Sequence, residues 1–409
     1  MHILHKLAWR NLIRNPRRSL LTGLIISCST AALIVTDAFI LGFSDAATRS
    51  ATQLFSGDAQ IHHREYLAAQ DEVFTIDPQS VLLQPLNQHP DIRAYSPRVL
   101  AFGMISSAAD NRAAQIVGVD PEAERHVSKL AQGMIEGAFL DLDGSTQQMV
   151  IGHRLARRLD VGLGDRIVVS VHHQQRNEVE QALFRVSGVF NLNARPLDEE
   201  LVVVLAPVLQ QMQGIGTEVH QISILFHEPT LARDLTAPIW SALSDDQVVI
   251  QSWLVFMPQL AAMLDMLSVS LWIIGGLLFI LAALGVVNGI FMSIYERLWE
   301  LGVLIAIGTR RRRIVAMVLL ENLWLAVVAI TVGLCLGALA TLMLAWLGID
   351  YGTLEIADVA VAEQIRPRMS VHQYLLYPPL ILALSLLAAS YPAVYAARLM
   401  PSRAMRKSL

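Results

Sequence analysis

The sequence predicts an α-helical membrane protein with four transmembrane helices and a mixed α/β domain of two lobes, inserted between helices 1 and 2. Three observations lead to this fold class. Apolar residues make up 54% of the chain, charged residues only 16%, and the mean hydropathy is +0.47, which together exclude an ordinary soluble domain. Four apolar segments are long enough to cross a bilayer. Finally, 14 of the 31 Lys and Arg residues lie in short stretches beside those segments.

The four apolar segments set the predicted domain boundaries. A helix needs about 20 residues to cross roughly 30 Å of hydrocarbon, and each segment exceeds that length. The predicted transmembrane helices cover residues 20–43, 263–294, 314–347 and 374–397. The intervals around them are residues 1–19, 44–262, 295–313, 348–373 and 398–409.

Basic residues orient the predicted helices. They cluster before Leu20, between the second and third helices, and after Tyr395. Lys and Arg beside a span mark the cytoplasmic side, so both termini are expected there. The interval 44–262 then faces outward, and so does the acidic loop 348–373, which is expected to be a solvated cap. Both cysteines lie inside predicted spans, so the outer domain needs no disulfide.

The first 19 residues have the pattern of an amphipathic helix on the inner membrane surface. A lipoprotein signal cleaved at Cys28 is an alternative, but the apolar run continues past Cys28, where a cleaved signal turns polar. Asp37 lies about 26 Å along the helix from Leu20. We expect its carboxylate at the headgroup level, and a buried carboxylate on a proton path is the alternative.

The interval 44–262 alternates strand-like runs with helical patterns, which predicts a mixed α/β domain. The strand-like runs are residues 59–62, 99–105, 113–119, 166–171, 183–190, 200–205 and 221–226. The helical patterns are residues 79–88, 153–159, 206–213 and 230–243. The second lobe is expected within about 121–180.

This outer domain shows no sign of catalysis. The pairs His62-His63 and His172-His173 suggest a metal site, but adjacent residues on a strand point to opposite faces and cannot both bind one ion. The run 162–165 lacks the third glycine and the following helix of a nucleotide-binding loop. No hydrolase, zinc-protease or P-loop motif is present. We therefore expect no catalytic, cofactor-binding or metal-binding residue in this chain.

A long helical pattern begins at Trp253 and continues to Ile294. One helix of that length would measure about 62 Å, twice the thickness of the hydrocarbon. Such a helix is suited to transmitting motion between the outer domain and the cytoplasm. Pro258 is expected in its first turn or at a kink. A straight span with a loosely ordered approach is the alternative.

A short amphipathic run, Glu296–Ile307, lies between the second and third predicted helices. Glu296 and Glu300 are one helical turn apart and can pair with basic groups on a partner, while Trp299 and Val303 offer an apolar contact. The alternative is an amphipathic helix that rests on the lipid surface.

Residues that follow this run are expected to fix its depth in the membrane and to contribute to packing between helices. Four consecutive arginines are predicted to anchor the third helix at anionic headgroups: Arg310, Arg311, Arg312 and Arg313. Gly333 and Gly337 form a pair of small residues that admits another helix closely. Glu321 is costly in lipid, and we expect it to form a structural hydrogen bond at a dimer seam.

The short run also carries the clearest family motif. Glu296-Arg297-x-x-Glu300-x-Gly302-x-Leu304-x-Ala306-Ile307-Gly308 resembles the ER-x-x-E-[IL]-G-x-L-x-A-[IL]-G signature of the MacB, LolC/LolE and FtsX family of ABC-transporter permeases. Further stretches resemble the same family in the same order: Ala8–Asn15, Ser252-Trp253 with Pro258, Glu321, Tyr391-Pro392-Ala393, and Pro401 with Ala404-Met405-Arg406. Ile305 stands where many members carry arginine.

The resemblance implies a partner ATPase. Members of this family have four spans, a large periplasmic domain between the first two, and a cytoplasmic coupling helix that docks into an ATPase. With no ATPase motif here, ATP and Mg²⁺ would be bound by a dimer of separate ATPase subunits, joined by a second permease subunit, identical or related. The implied coupling residues are Glu296, Arg297, Trp299, Glu300, Gly302, Val303, Leu304, Ala306, Ile307 and Gly308. For the four arginines Arg310–Arg313, a direct role at the ATPase is the alternative to anchoring.

The resemblance also implies a bacterial inner-membrane location and a transport function. Release of lipoproteins from the inner membrane is the first expectation, with a lipoprotein or a periplasmic carrier as a further partner. Export of periplasmic substrates through a tripartite system and FtsX-like signalling to a periplasmic partner are the alternatives. An intramembrane enzyme would need paired catalytic residues, and the acidic residues of the spans show no such arrangement. Membrane lipids are expected partners, and nucleic acid is not.

Overall fold

The computed structural model describes residues 10, 14, 16–69, 72–78, 86, 89–142, 144–348, 354–356, 359–361 and 365–398. These residues form two compact units, one of long apolar helices and one of mixed α/β structure. Most of the amphipathic helix predicted over 1–19 and most of the tail 398–409 lie outside the described residues, as does nearly all of the helix predicted over 79–88.

The helices, in chain order, are α1 (Pro16–Ala51), α2 (Tyr66–Ala69), α3 (Pro121–Val127), α4 (His153–Leu159), α5 (Arg195–Glu200), α6 (Ala206–Gln213), α7 (Ile239–Ala242), α8 (Trp253–Phe256), α9 (Pro258–Glu296), α10 (Leu298–Ala306), α11 (Arg311–Leu347) and α12 (Val371–Ala397). The strands are β1 (Ala59–His63), β2 (Ile92–Ser106), β3 (Asn111–Val119), β4 (Met134–Gly137), β5 (Gln148–Gly152), β6 (Arg166–His173), β7 (Glu178–Phe190), β8 (Leu201–Leu205), β9 (Gln221–Phe226), β10 (Val248–Ser252), β11 (Leu354–Ile356) and β12 (Val359–Val361).

Four helices of the described chain are long and apolar enough to cross a membrane: α1, α9, α11 and α12. The predicted four-span fold class is therefore confirmed. Each helix is longer than its predicted span, because the helical backbone continues beyond the apolar residues that the prediction counted. At the start of α11 this extension includes Arg311, Arg312 and Arg313, which the prediction had placed in the loop before the helix.

The helical unit has a shared apolar core, in which α1 packs closely against α11. Ile26, Ile34 and Ile330 are buried in this core. A Cβ atom on Gly333 would lie 2.7 Å from the carbonyl oxygen of Ser27, and one on Gly337 would lie 3.1 Å from the Cβ of Ile34. The helix that these two glycines admit is thus α1 of the same chain.

Asp37 in α1 is covered by another helix. Its side chain is buried. The hydroxyl of Tyr377 in α12 donates a 2.7 Å hydrogen bond to its Oδ2 atom. The prediction used only the distance along α1 and missed this contact, while the expected position of Asp37 at the headgroup level stays a prediction. The observed contact is a structural hydrogen bond between two helices.

The α/β unit is built on a sheet that closes on itself. The ring runs β2, β3, β8, β5, β7, β6 and back to β2. Its closing contact is the antiparallel pairing of β6 with the end of β2, where Met104 faces Ser170. Three strands extend the sheet beyond the ring, with β9 on β2, then β1, then β10, and β4 pairs with the end of β7.

Alternation along the ring strands directs apolar side chains inward. Ile105, Ile116, Ile167, Val169 and Phe184 are fully buried in this way. On the other face of β3 and β8, Val117 and Val203 pack in a second apolar cluster with Phe55 and neighbouring residues. The strands within 121–180 do not form a separate sheet, since β5 pairs with β8 and β6 pairs with β2.

Several local predictions for this unit were wrong. The strands β4, β5 and β10 were not predicted, and neither was the helix α3. The helix predicted over 230–243 is replaced by a 3₁₀ turn at Pro229–Arg233 and the single-turn helix α7, separated by a segment that contains Pro238. In the loop predicted as a solvated cap, β11 and β12 form an antiparallel pair that was not predicted.

The long helical pattern from Trp253 is interrupted. Met257, with φ −121° and ψ 60°, separates α8 from α9, and Pro258 is the first residue of α9. Proline is well tolerated at this position, because the first amide groups of a helix have no partner within it. The single helix predicted over 253–294 is therefore two helices, of which α9 alone is continuous through the membrane segment.

Candidate functional site

The candidate site is the short helix α10, which lies in the chain between α9 and α11. Glu296 is the last residue of α9, and Arg297 has φ −113° and ψ 19°, which separates the two helices. At the other end, Gly308 has a φ of +92°, a region that glycine enters without steric cost. The short amphipathic run predicted over 296–307 thus forms a helix over Leu298–Ala306, and its coupling role stays a prediction.

One face of α10 packs on the helical core. Leu301 and Gly302 are buried, and Leu304 and Ile305 pack against the same cluster. Ile305 stands at the position where many relatives were expected to carry arginine, and its apolar side chain contributes to this packing.

The opposite face of α10 is apolar and exposed. Trp299 is 57% exposed and Ile307 is 73% exposed. Val303 lies between them at a spacing of four residues, so the three side chains share one face. Large exposed apolar residues grouped in this way mark interaction surfaces. We call Trp299, Val303 and Ile307 the apolar face of α10.

Four charged side chains of alternating sign surround the start of α10. Arg14 donates to Glu300 over 2.7 Å, and Arg297 donates to the same carboxylate over 3.0 Å. Arg297 also donates to Glu321 of α11 over 3.1 Å. Arg14, Glu300, Arg297 and Glu321, which we call the ionic network, therefore connect the N-terminal segment, α10 and α11 within one chain.

The network holds Glu300 in its ionised form. Partial burial raises the pKa of this carboxyl, but the hydrogen bonds from Arg297 and Arg14 outweigh that effect, and the pKa lies below its ordinary value. The two arginines therefore keep their partner charged at neutral pH.

Two acidic residues with expected partner contacts form ion pairs within the chain. Glu300, which was expected to pair with a partner protein, pairs with Arg297 and Arg14. Glu321, which was expected to form a structural hydrogen bond at a dimer seam, pairs with Arg297. The expected contacts of both residues with a partner stay predictions. Arg14 was not predicted as a site residue, although it lies in the basic N-terminal stretch and in the family-like stretch Ala8–Asn15.

The remaining predicted residues are exposed or half-buried. Glu296 and Ala306 are exposed, and so is Gly308. The four predicted anchor residues Arg310, Arg311, Arg312 and Arg313 are all exposed. Their contact with headgroups stays a prediction.

A small cavity of about 40 Å³ lies beside the ionic network. Arg297, Glu321 and Asn322 line it together with residues of α1 and α9. The side-chain amide nitrogen of Asn322 donates to the carbonyl oxygen of Ser385 over 3.2 Å, while its oxygen has no hydrogen-bond partner in the described part of the chain. The volume and the polar lining suit a bound water molecule.

The described residues contain no group of three or more His, Cys, Asp or Glu side chains placed to hold a metal ion. Of the histidine pair on β1, His62 is buried without a hydrogen-bond partner, and His63 stacks on Phe74 at 5.0 Å. The two rings therefore lie in different surroundings, in agreement with the alternation of a strand.

Two family models match this chain and together span most of it. The MacB-like periplasmic core domain matches residues 19–239, and the FtsX-like permease C-terminal domain matches residues 272–401. The second match contains α10 and three of the four residues of the ionic network, Arg297, Glu300 and Glu321. The α/β unit is accordingly a periplasmic domain, and the chain is an inner-membrane protein.

Individual relatives have low sequence identity to this chain, and for two of them the similarity extends over most of both chains. The lipoprotein-releasing system transmembrane protein LolE of Haemophilus influenzae is 24% identical over 85% of this chain and 85% of its own. The lipoprotein-releasing system transmembrane protein LolC of Xylella fastidiosa is 23% identical over 72% of this chain and 73% of its own. The macrolide export ATP-binding/permease protein MacB of Brucella abortus is 26% identical over 39% of this chain and 23% of its own. The chain belongs to the family of FtsX-like permeases that carry a MacB-like periplasmic core domain.

Proposed function

We propose that this chain is the permease subunit of an ABC transporter, that a separate ATPase subunit docks on α10, and that ATP hydrolysis there drives work by the periplasmic domain. The work proposed is the release of lipoproteins from the inner membrane. The observation that carries the proposal is the apolar face of α10, exposed on a helix whose other face is buried and whose start is held by the ionic network.

The apolar face has the composition of a binding hot spot. Tryptophan is among the residues most enriched at the centre of protein interfaces, where it contributes through buried area. Trp299 and Ile307 lie about two turns apart and frame Val303, so one shallow groove on a partner can take all three. Glu296 is exposed beside this face and supplies a charge at its rim.

The ionic network provides a route for motion from α10 into the membrane. Arg297 bonds to Glu300 of α10 and to Glu321 of α11 at the same time. A displacement of α10 by a docked ATPase would therefore act on α11 through a charged contact as well as through the packing of Leu301. The close packing of α11 on α1 at Gly333 would extend that displacement to a second spanning helix.

The proposed cargo and partners follow from the relatives. Two of them are named as transmembrane proteins of lipoprotein-releasing systems, and their similarity covers most of both chains. In the proposed complex two ATPase subunits bind ATP and Mg²⁺, a second permease subunit completes the transporter, and both termini of this chain are cytoplasmic. A lipoprotein or a periplasmic carrier meets the complex on the outer side.

The docking proposal is tested by co-expressing this chain with an ABC ATPase subunit from the same organism and purifying the two together. We expect the wild-type chain to retain the ATPase and to alter its ATP turnover. Trp299→Ala combined with Ile307→Asp should abolish retention, because it removes both exposed ends of the apolar face. Trp272→Ala is the matched control, since Trp272 is equally exposed on α9, away from α10. Retention of the ATPase by the double variant would refute docking at this face.

The cargo proposal is tested separately, with an ATPase partner that binds ATP but does not hydrolyse it. Release of lipoproteins predicts that an acylated lipoprotein co-purifies with the stalled complex and leaves when hydrolysis is restored. Recovery of an outer-membrane duct instead would favour export, and recovery of a cell-wall hydrolase would favour signalling. Either of those two results would replace lipoprotein release while leaving the docking result intact.

A further inference from the structure

A polar cleft of about 710 Å³ lies in the α/β unit, between the start of β2, the helix α3 and the turn that follows α3. Every charged side chain that lines it in the described part of the chain is basic or a histidine: Arg93, Arg125, His126 and Lys129. We call this the basic cleft.

The charge of the basic cleft is opposite to that of the domain around it. Between residues 44 and 262 the sequence has 26 Asp and Glu against 15 Lys and Arg. A domain with that excess repels anions over most of its surface. A cleft lined only by cations is then a local exception, and clefts of one sign concentrate ligands of the opposite sign.

Two of the arginines are available to a ligand. Arg93 and Arg125 are exposed, and neither has a carboxylate within ion-pair distance among the described residues. Arg125 makes only a long 3.4 Å hydrogen bond to the carbonyl oxygen of Leu140 and a contact of 6.0 Å with the ring of Phe139. The carboxyl that interacts with Arg93 electrostatically is the buried Asp58.

The walls of the basic cleft are held together by a buried ion pair. Arg98 of β2 donates to both carboxylate oxygens of Glu124 of α3, over 3.0 Å and 2.6 Å, and the hydroxyl of Ser96 donates to Glu124 over 2.7 Å. Both charged side chains are fully buried, and the guanidinium of Arg98 lies 4.1 Å from the centre of the Phe55 ring. The contact fixes α3 on β2, and other residues of both elements line the cleft.

A buried ion pair is a costly way to stabilise a fold, because desolvation offsets most of the attraction. The position of this ion pair gives a reason for that cost, because α3 and β2 form the two principal walls of the basic cleft. The third wall is fixed as well, because the backbone amide of Lys129 donates to the carbonyl oxygen of Gln53 over 3.1 Å. Walls held in place before binding reduce the entropy that a ligand must offset.

We propose that the basic cleft binds an acidic polypeptide segment of a partner on the periplasmic side. Its polar lining includes Gln53 and Gln132, whose side-chain amides can hydrogen-bond to a peptide backbone between the carboxylates. The apolar residues of its lining, such as Ile92 and Leu225, are themselves buried, so an acyl chain would find little exposed apolar surface. This inference goes beyond the proposed transport function and does not depend on the ATPase.

The test uses the full chain in nanodiscs of neutral lipid and a rhodamine-labelled peptide that alternates Glu and Gly. Fluorescence anisotropy should show binding at low ionic strength that weakens at high ionic strength. A peptide with Gln in place of Glu should not bind. Arg93→Gln combined with Arg125→Gln should weaken binding by about tenfold or more, since two charge-assisted contacts are lost.

The matched control is Arg166→Gln combined with Arg185→Gln, which removes two exposed arginines of the same unit outside the basic cleft. It should change affinity by less than about twofold, because the screened field of distant charges is weak. All four positions are exposed, and unchanged unfolding midpoints in urea would show that the variants fold.

Three results would overturn the proposal. Absence of peptide binding at low ionic strength would show that the basic cleft does not bind acidic peptides. Equal weakening by both pairs of substitutions would assign binding to the general field of the unit. Binding of glycerol phosphate through Arg93 and Arg125, without competition from the peptide, would assign the basic cleft to a lipid headgroup.

Discussion

The contact between Arg297 and Glu321 should transmit motion from α10 to α11, and its strength can be worked from the structure. The side chains are only 12% and 14% exposed and lie 3.1 Å apart. Removing one partner of a fully buried pair costs about 3–5 kcal/mol, whereas an exposed pair contributes at most about 1 kcal/mol. For a pair this close to burial we expect a coupling energy of about 2 kcal/mol.

A double-mutant cycle measures this energy. The variants are Arg297→Met, Glu321→Leu and their combination, and reversible unfolding in mixed detergent micelles gives the free energies. The reference cycle uses Arg14 and Glu300, whose side chains are 52% and 41% exposed. Because that pair is well solvated, its coupling should stay below about 1 kcal/mol.

The same variants separate transmission from docking. Arg297→Met leaves the apolar face of α10 unchanged, so the partner ATPase should still bind with nearly the same affinity. Its ATP turnover should no longer respond to the permease, since one contact between α10 and α11 is missing. The reasoning is refuted if the coupling energy of Arg297 and Glu321 does not exceed that of Arg14 and Glu300, or if Arg297→Met abolishes ATPase binding itself.

Three further predictions concern packing and charge. Gly333→Ala should destabilise the helical unit by about 1–3 kcal/mol in the same unfolding assay, because its new methyl group would meet the backbone of Ser27. Gly276→Ala, where nothing lies within 4 Å, should be neutral. Burial lowers the pKa of His62 to about 4. Below pH 6.5 the unfolded chain therefore binds a proton at His62 that the folded domain does not bind. The free energy of unfolding of the domain should fall by up to about 3 kcal/mol between pH 6.5 and pH 4, measured by urea unfolding of the full chain. His62→Phe should remove that slope. Glu124→Ala should cost at least about 3 kcal/mol in urea unfolding because it leaves the guanidinium of Arg98 buried and unpaired, and Arg98→Met with Glu124→Leu should recover part of that loss.

Local patterns in the sequence were sufficient for the spanning helices and for α10. A run of more than 20 apolar residues predicts a span from length alone. The start of α10 after Arg297 and its end at Gly308 are set by neighbouring residues, and the pair Gly333 and Gly337 predicts close packing by its spacing. These features depend on residues within one or two helical turns of each other.

Features that depend on distant residues were missed. Glu300 pairs with Arg14 across 286 positions of the sequence, and no local pattern indicates that contact. Asp37 was placed by its distance along one helix, whereas Tyr377 covers it from 340 positions away. The helix α10 was therefore predicted from local residues, its ionic contacts within the chain were not, and docking of a partner there stays a prediction.

In the α/β unit, too, local features were predicted, whereas features that depend on distant residues were not. Strict alternation identified the strands that form most of the ring, such as β3 and β6. The four-residue β4 is too short for a reliable pattern, and its exposed residues do not alternate. Closure of the ring depends on pairing β6 with β2, although β3, β4 and β5 lie between them in the sequence, and no local pattern indicates that contact. Predicting it requires knowledge of three-dimensional pairing.

Closure of that ring has a mechanical consequence. A strand at the edge of an open sheet is hydrogen-bonded to one neighbour and can slide along it. A strand in a closed ring is hydrogen-bonded to a neighbour on each side. Sliding β6 along β2 would also break its eight paired positions with β7, from Arg166 to His173. A load applied at any point of the ring is then shared by all six strands, so the ring should move as a stiff body and leave bending to the segments that enter and leave it.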